Sequence, residues 1–374
     1  MLRSAPTDRR GMLCAVGLFV ALRAVCTAVL AAFAAGRDTS LLALLGRSDA
    51  IWYARVVTRG YDHAIPVGPD GTLLPTNLAF FPLFPGIVAL VDPVLPGGAG
   101  TAGVVVAWLC GVGAAAGIYA VGAHVRDRRT GVLLAGLWAV LPHSLVLSMG
   151  YTEPLFTGLA AWSLWALLRR QWVAAGALCL LAGLTRPTAA ALVVAVGLAA
   201  LVAVVRREDG WRPWVAGALA PLGLLGYVAW VGHRLGSADG YFRVQNDAWR
   251  MSYDAGGTTL ATTRDLLTRE SPLALYVTAA VVLVALGLLV LLATDRVPWP
   301  LVVFAGVVVA LSFFGAGYYQ AKARLLLPAF PLLLPVAAGL AAARRTTVVV
   351  VLAVLTALSA GYGVYLAIAW PYSP

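Results

Sequence analysis

The sequence predicts an all-α, polytopic membrane protein, and three observations predict it. Of its 374 residues, 61% are hydrophobic and only 11% are charged. Its mean hydropathy is +0.87, well outside the balance of a water-soluble globular chain. Apolar runs of roughly 17–24 residues recur from end to end, each enough to cross ~30 Å of hydrocarbon at ~1.5 Å per residue. One bilayer-embedded domain over 1–374 is the expectation. Two longer polar stretches interrupt it, a first outer loop at 34–100 and a long outer loop at 233–271.

The opening MLRSAPTDRR leads into GMLCAVGLFVALRAVCTAVLAAF. That apolar run is too long for a signal peptide, and no small-residue cleavage site follows it, so a retained first helix is expected. The formal charge of +11 raises the question of nucleic acid. Its arginines, however, stand in short clusters between apolar runs and not along one soluble face. Membrane lipids and the inside-positive bias explain them better, and no nucleic-acid partner is expected.

These clusters are Arg3/Arg9/Arg10, Arg126/Arg128/Arg129, Arg169/Arg170, Arg206/Arg207/Arg212, Arg296 and Arg344/Arg345. Placing all of them in the cytoplasm requires an even number of crossings between neighbouring clusters. Pairs of helices then turn on the outer side at SMGYTEP, at LTRPT, across 233–271 and at YYQAKAR, and a final helix near 346–369 leaves the C-terminus outside. Before Arg126 two apolar stretches compete for one crossing. NLAFFPLFPGIVALVDPVL is interrupted by Pro82, Pro85 and Pro93 and carries Asp92, so it is expected to lie in the outer interface. The total is about 11 transmembrane helices with the N-terminus cytoplasmic, estimated from segment lengths. GAAAG at 113–117 matches a helix-packing motif, a weak signal in so alanine-rich a chain.

Polar residues on the outer side converge from five places: GRSDAIWYARVVTRGYD at 46–62, NLAFFPLFP, YTEP, TRP and YYQAKAR. Asp49 begins a helix-compatible stretch with Trp52 and Tyr53 three and four positions on, hence on one face. An interfacial amphipathic helix accounts for the aromatics and for Arg55 and Arg59. It does not account for a carboxylate facing anionic lipid, which marks Asp49 as functional. Glu153 has two readings of equal weight, a charge at a helix N-terminus or a site residue. Arg186, in a tight turn at membrane level, calls for a partner or a substrate. Lys322, the only lysine, and Arg324 suit either an anionic head group or topological anchoring. Tyr61, Tyr151, Tyr318 and Tyr319 are interfacial tyrosines or stacking groups for a sugar, the former being the commoner role.

The four cysteines lie inside apolar segments and the four histidines do not cluster. With no P-loop and no Gly-rich nucleotide fingerprint, no cofactor or metal is expected.

An aspartate soon after helix 1 and then WYARVVTRGYD, AFFPLFP, SMGYTEPLF, GLTRPTAAAL and ARLLLPAFPLL, in this order over nearly the whole chain, resembles the PIG-V-like mannosyltransferases of the GT-C glycosyltransferase class. The resemblance implies a polyprenyl-phosphate-linked mannose donor, chemistry on the extracytoplasmic face of what is expected to be a bacterial plasma membrane, and Asp49 as the catalytic residue. It places Glu153 and Arg186 in the site lining. Three departures leave the acceptor, lipid or glycan, open: Ser48 where a tryptophan often precedes the aspartate, Pro154 where a serine is usual, and no aromatic beside the last arginine. On this reading Asp49 is a general base, and an acceptor hydroxyl attacks the sugar with inversion. Trp52, Tyr53, Glu153, Arg186, Lys322 and Arg324 bind substrate. The competing class is a transporter or flippase, which predicts mid-membrane charge and pseudo-symmetric halves. Arg23 is the clearest interior charge. A catalytically silent assembly partner is a third class.

Overall fold

The structure, a computed structural model, describes residues 8–374; Arg3 of the first basic cluster lies outside them. Six helices are long and apolar enough to cross a membrane: Arg9–Ala35, Gly98–Val125, Pro187–Val205, Arg212–Arg234, Leu273–Thr294 and Arg345–Ala369.

Side-chain pairings between loops show that five shorter segments also travel the full height. At one end Asp8 meets Arg128 at 2.9 Å, Arg126 pairs with Asp295, and Arg129 donates to the Ala343 carbonyl at 2.9 Å. At the opposite end Arg324 binds Asp49 and Arg186 binds Glu153. The chain must therefore traverse the molecule in the stretch from helix Arg128–Ala139 to Ser148, in Glu153–Leu168, in Trp172–Gly183, in Trp299–Phe314 and in Phe330–Ala342. Eleven traverses result, and the arginine clusters gather at the end away from the paired carboxylates. Helix Leu83–Val91 has nine residues, about 13 Å at 1.5 Å each, less than half the hydrocarbon thickness. It is not a span, as its prolines predict. With helices Leu41–Leu45 and Asp49–Arg59 it builds the connection between the first two long helices.

The stretch after Arg128–Ala139 has a visible cause for its break. Pro142 removes a backbone donor, and the helix stops at Val140. Arg23, 2% exposed, reaches in from the first helix to replace the lost partners. It donates to the Ala139 carbonyl at 3.3 Å, to Ser144 Oγ at 2.7 Å and to Ser148 Oγ at 2.8 Å. A charge in the membrane interior is thus bound to oxygens of the protein itself. Arg23→Ala is expected to destabilise by about 2 kcal/mol or more, since several buried acceptors lose a charged donor. A thermal midpoint equal to wild type in detergent would remove this role.

Small residues bring the helices into contact, as expected where lipid tails offer no hydrophobic drive. A Cβ at Gly223 would sit 1.9 Å from the Leu180 carbonyl oxygen, so helices Trp172–Gly183 and Arg212–Arg234 meet backbone to backbone. In GAAAG, Gly117 faces Ala161 and Trp162, and the Gly113 carbonyl accepts from Trp162 Nε1 at 3.0 Å.

Candidate functional site

Each charged side chain of the site is aimed by a local feature. Ser48, just before helix Asp49–Arg59, has φ 58° and ψ −123°, a conformation costly for a residue with a Cβ. The sharp turn starts the helix at Asp49, whose backbone N–H donates to Tyr151 Oη at 3.2 Å. Three and four residues on, Trp52 stacks on Phe80 (5.8 Å between centroids), while Tyr53 packs edge-on against Phe80 and Phe84. Arg55 stands over Trp52 and pairs with Asp62 at 2.8 Å. Asp62 also accepts from Thr76 Oγ1 and the Asn77 backbone N–H. Arg55 is thereby committed to holding the loop closed.

The YTEP turn, a connection between two helices, is fully buried. Tyr151, Thr152 and Glu153 are at most 2% exposed, because the connection between the first two long helices folds over them. Gly150 N–H donates to the Leu45 carbonyl at 3.1 Å, and Tyr53 Oη lies 3.1 Å from Thr152 Oγ1. Burial raises the phenol of Tyr53, with the Glu153 charge adding to it, and raises that of Tyr151, with the Asp49 charge adding. Both stay neutral hydrogen-bonding groups.

Arg186 precedes Pro187 and is extended, φ −171° and ψ 158°, the conformation a following proline favours. That kink ends the helical path at Leu184, whose carbonyl accepts from Leu83 N–H at 2.9 Å. It also turns Arg186 toward Glu153, Nη1 to Oε1 2.8 Å. Arg186 Nε, buried, has no acceptor. Arg324 sits on the one-turn helix Ala321–Leu325. Its Nη1 donates to Asp49 Oδ2 at 2.7 Å, its Nε lies 3.5 Å from Glu153 Oε1, and its guanidinium stacks over Tyr151. The four charges thus alternate in the order Asp49, Arg324, Glu153, Arg186, and together are electroneutral. Burial lowers the Arg324 pKa, but the Asp49 and Glu153 charges more than offset this and raise it, so the guanidinium is permanently charged.

These groups open onto one cavity of ≈390 Å³. Asp49, Trp52, Tyr53, Glu153, Arg186 and Arg324 all line it. Lys322 does not. It is 3% exposed, and its ammonium donates to the Ser312 carbonyl at 2.8 Å and to that of Gly315. Those carbonyls, left open at the end of helix Trp299–Phe314, are satisfied by a basic side chain. Tyr61 is likewise engaged in the fold, donating to the Phe80 carbonyl at 2.8 Å.

Five lining residues escaped sequence reasoning: Gln245, Trp249, Met251, Tyr372 and Ser373. The first three ride on the long outer loop, pinned by Trp249 Nε1 to the Thr76 carbonyl at 3.0 Å and by a two-residue pairing of Ser252–Tyr253 with Gly315–Ala316. Their only sequence signal was that the polar loop carries aromatics, Tyr241, Phe242, Trp249 and Tyr253. Next to the cavity, on the far side of Ala321–Leu325, lies a second one of ≈340 Å³. Val277, Ala280, Val284 and Leu326 line it, and its wall is almost wholly apolar. Among the described residues no group of three or more His, Cys, Asp or Glu is placed to hold a metal ion.

No protein-family model matches the chain, and no curated protein matches it. Among solved structures it is similar to ArnT from Cupriavidus metallidurans, crystallised with undecaprenyl phosphate. The TM-score is 0.53 at 14% identity, covering 94% of this chain and 75% of that one. At such identity the likeness is one of fold alone: the chain shares with that structure a polytopic all-α membrane architecture.

Proposed function

We propose that this chain is a single-domain membrane glycosyltransferase. It moves a hexose, mannose on the motif resemblance, from a polyprenyl-phosphate donor to an acceptor hydroxyl with inversion. One observation carries the proposal: Asp49, Glu153, Arg186 and Arg324, contributed by four separate segments, meet in one cavity at the end opposite the arginine clusters. Under the positive-inside rule the clusters face the cytoplasm and the cavity faces outward.

The chemistry follows from the charges. Outside the cytoplasm there are no nucleotide sugars, so an activated sugar arrives on a lipid phosphate, which a membrane-embedded site admits laterally. Asp49 takes the proton of the acceptor hydroxyl. The oxygen bonds to the anomeric carbon from the face opposite the phosphate, and the bond from that carbon to the phosphate oxygen breaks. A phosphate departs without being protonated, so one carboxylate suffices where glycosidases use two. Its developing charge falls to Arg324 and Arg186, the latter with a free Nε–H. Glu153, between them, holds both guanidinia in the orientation the phosphate needs.

The neighbouring apolar cavity suits the isoprenoid tail. Ala280→Trp should fill it and forfeit burial worth about 1.5–3 kcal/mol. Donor KM should rise about tenfold or more, with kcat little changed. An unaltered KM would place the tail elsewhere.

The transport alternative predicts interior charge and pseudo-symmetric halves, and Arg23, the clearest interior charge, is bound by serine hydroxyls and a carbonyl. The direct test is reconstitution with polyprenyl-phosphate mannose and a membrane-lipid extract. The expected result is sugar transferred to a component of the extract. Absence of transfer from polyprenyl-phosphate mannose and from its glucose counterpart would defeat the proposal.

A further inference from the structure

A general base needs a place beside it where the alcohol can sit, donating to one carboxylate oxygen. Asp49 has two oxygens, and they are used differently. Oδ2 is held by Arg324 at 2.7 Å. Oδ1 faces the Ser373 hydroxyl, which donates to it across 3.4 Å. That same hydroxyl accepts from Arg324 Nη1 at 3.3 Å and lies 3.2 Å from Tyr151 Oη. A hydroxyl bound by a carboxylate on one side and a cation on the other is in the environment that a reacting acceptor alcohol requires.

The segment carrying Ser373 is held firmly on one side and loosely on the other. Arg47, two residues before Asp49, donates to the Ala367 carbonyl at 2.5 Å and to the Trp370 carbonyl at 3.1 Å. Trp370 is buried against Tyr365 and Tyr372. Past that anchor Tyr372 is 59% exposed, and the three side-chain hydrogen bonds of Ser373 are all longer than 3.1 Å, the weak end of their range.

We propose that the Oδ1 side of Asp49 is the acceptor-hydroxyl subsite, and that the Ser373 hydroxyl is its resident occupant, displaced when an acceptor binds. The inference rests on the transferase reading and adds to it the place of the second substrate. Trp370 is the fixed point about which Tyr372 and Ser373 swing aside.

Two measurements on the full chain in lipid nanodiscs test it. With polyprenyl-phosphate mannose and no added acceptor, water is the only alcohol-like nucleophile. Ser373→Ala vacates the subsite, and free mannose should then appear about two- to tenfold faster than from wild type, the worth of one modest hydrogen bond. Adding Asp49→Asn should abolish the gain. Release at or below the wild-type rate overturns the proposal. The second readout needs no turnover. In a Cys14→Ser background, Ser373→Cys is modified with a hydrophilic maleimide, with and without octyl α-mannoside as a probe for the subsite. The sugar should speed modification about two- to tenfold by displacing the side chain. An unchanged or slower rate overturns the subsite. Wild type inactive on every polyprenyl donor, with sugar-accelerated labelling intact, would count against the transferase reading and leave a sugar-hydroxyl site beside Asp49.

Discussion

Asp49→Asn is expected to lower the transfer rate about 10²–10⁴-fold, the usual loss when a general base is removed. Asparagine has the same shape, and its carbonyl oxygen still accepts from Arg324, so the site keeps its geometry. What it loses is the ability to take a proton. The effect should therefore fall on kcat more than on donor KM, because the phosphate and its arginines are untouched. Thermal unfolding serves as the control, since Arg324 retains Glu153 at 3.5 Å. Equal sugar transfer by variant and wild type would strip Asp49 of its role.

Glu153→Gln should have the largest effect on stability. The Glu153 side chain is 3% exposed and lies between two guanidinia, at 2.8 Å from Arg186 and 3.5 Å from Arg324. Removing one partner of a buried charge group typically costs about 3–5 kcal/mol, because the charge left behind is neither solvated nor paired. Here Arg186 loses its only carboxylate, while Arg324 keeps Asp49 at 2.7 Å. The variant should unfold at a much lower temperature or fail to accumulate. Glu153→Gln combined with Arg186→Met removes the stranded charge. It should recover part of the loss in stability while activity stays low, since the phosphate contact is gone. A single variant as stable and as active as wild type would show the carboxylate to be dispensable.

The sequence carried much of the fold because membrane spans are written in it locally. A run of apolar residues of sufficient length, flanked by arginines, needs no knowledge of its neighbours, and parity between the arginine clusters then orders the runs. That logic predicted about eleven traverses and the non-spanning character of the proline-interrupted stretch at 78–96. It also put the segments that carry Asp49, Glu153, Arg186, Lys322 and Arg324 on one side of the membrane.

Which charge meets which was a different matter. Lys322 and Arg324 are two residues apart and read alike in the sequence, yet one satisfies open helix carbonyls while the other bridges Asp49 and Glu153. On a helix, residues two apart point to different sides, and only the packing of Ala321–Leu325 decides which side holds the cavity. Arg55, which the sequence places on an interfacial helix, is held by Asp62 seven residues later.

By itself the sequence determined the all-α polytopic class, the positions of the apolar segments and where the polar segments interrupt them. Each of these depends on hydrophobicity, charge count and short-range spacing. The tertiary structure alone decided that YTEP is buried, that Ser373 lies against Asp49 across 324 residues of chain, and that two acids and two arginines alternate in one cluster. Electrostatic pairing depends on distances of a few ångströms in space, and those are set by how helices remote in sequence pack together.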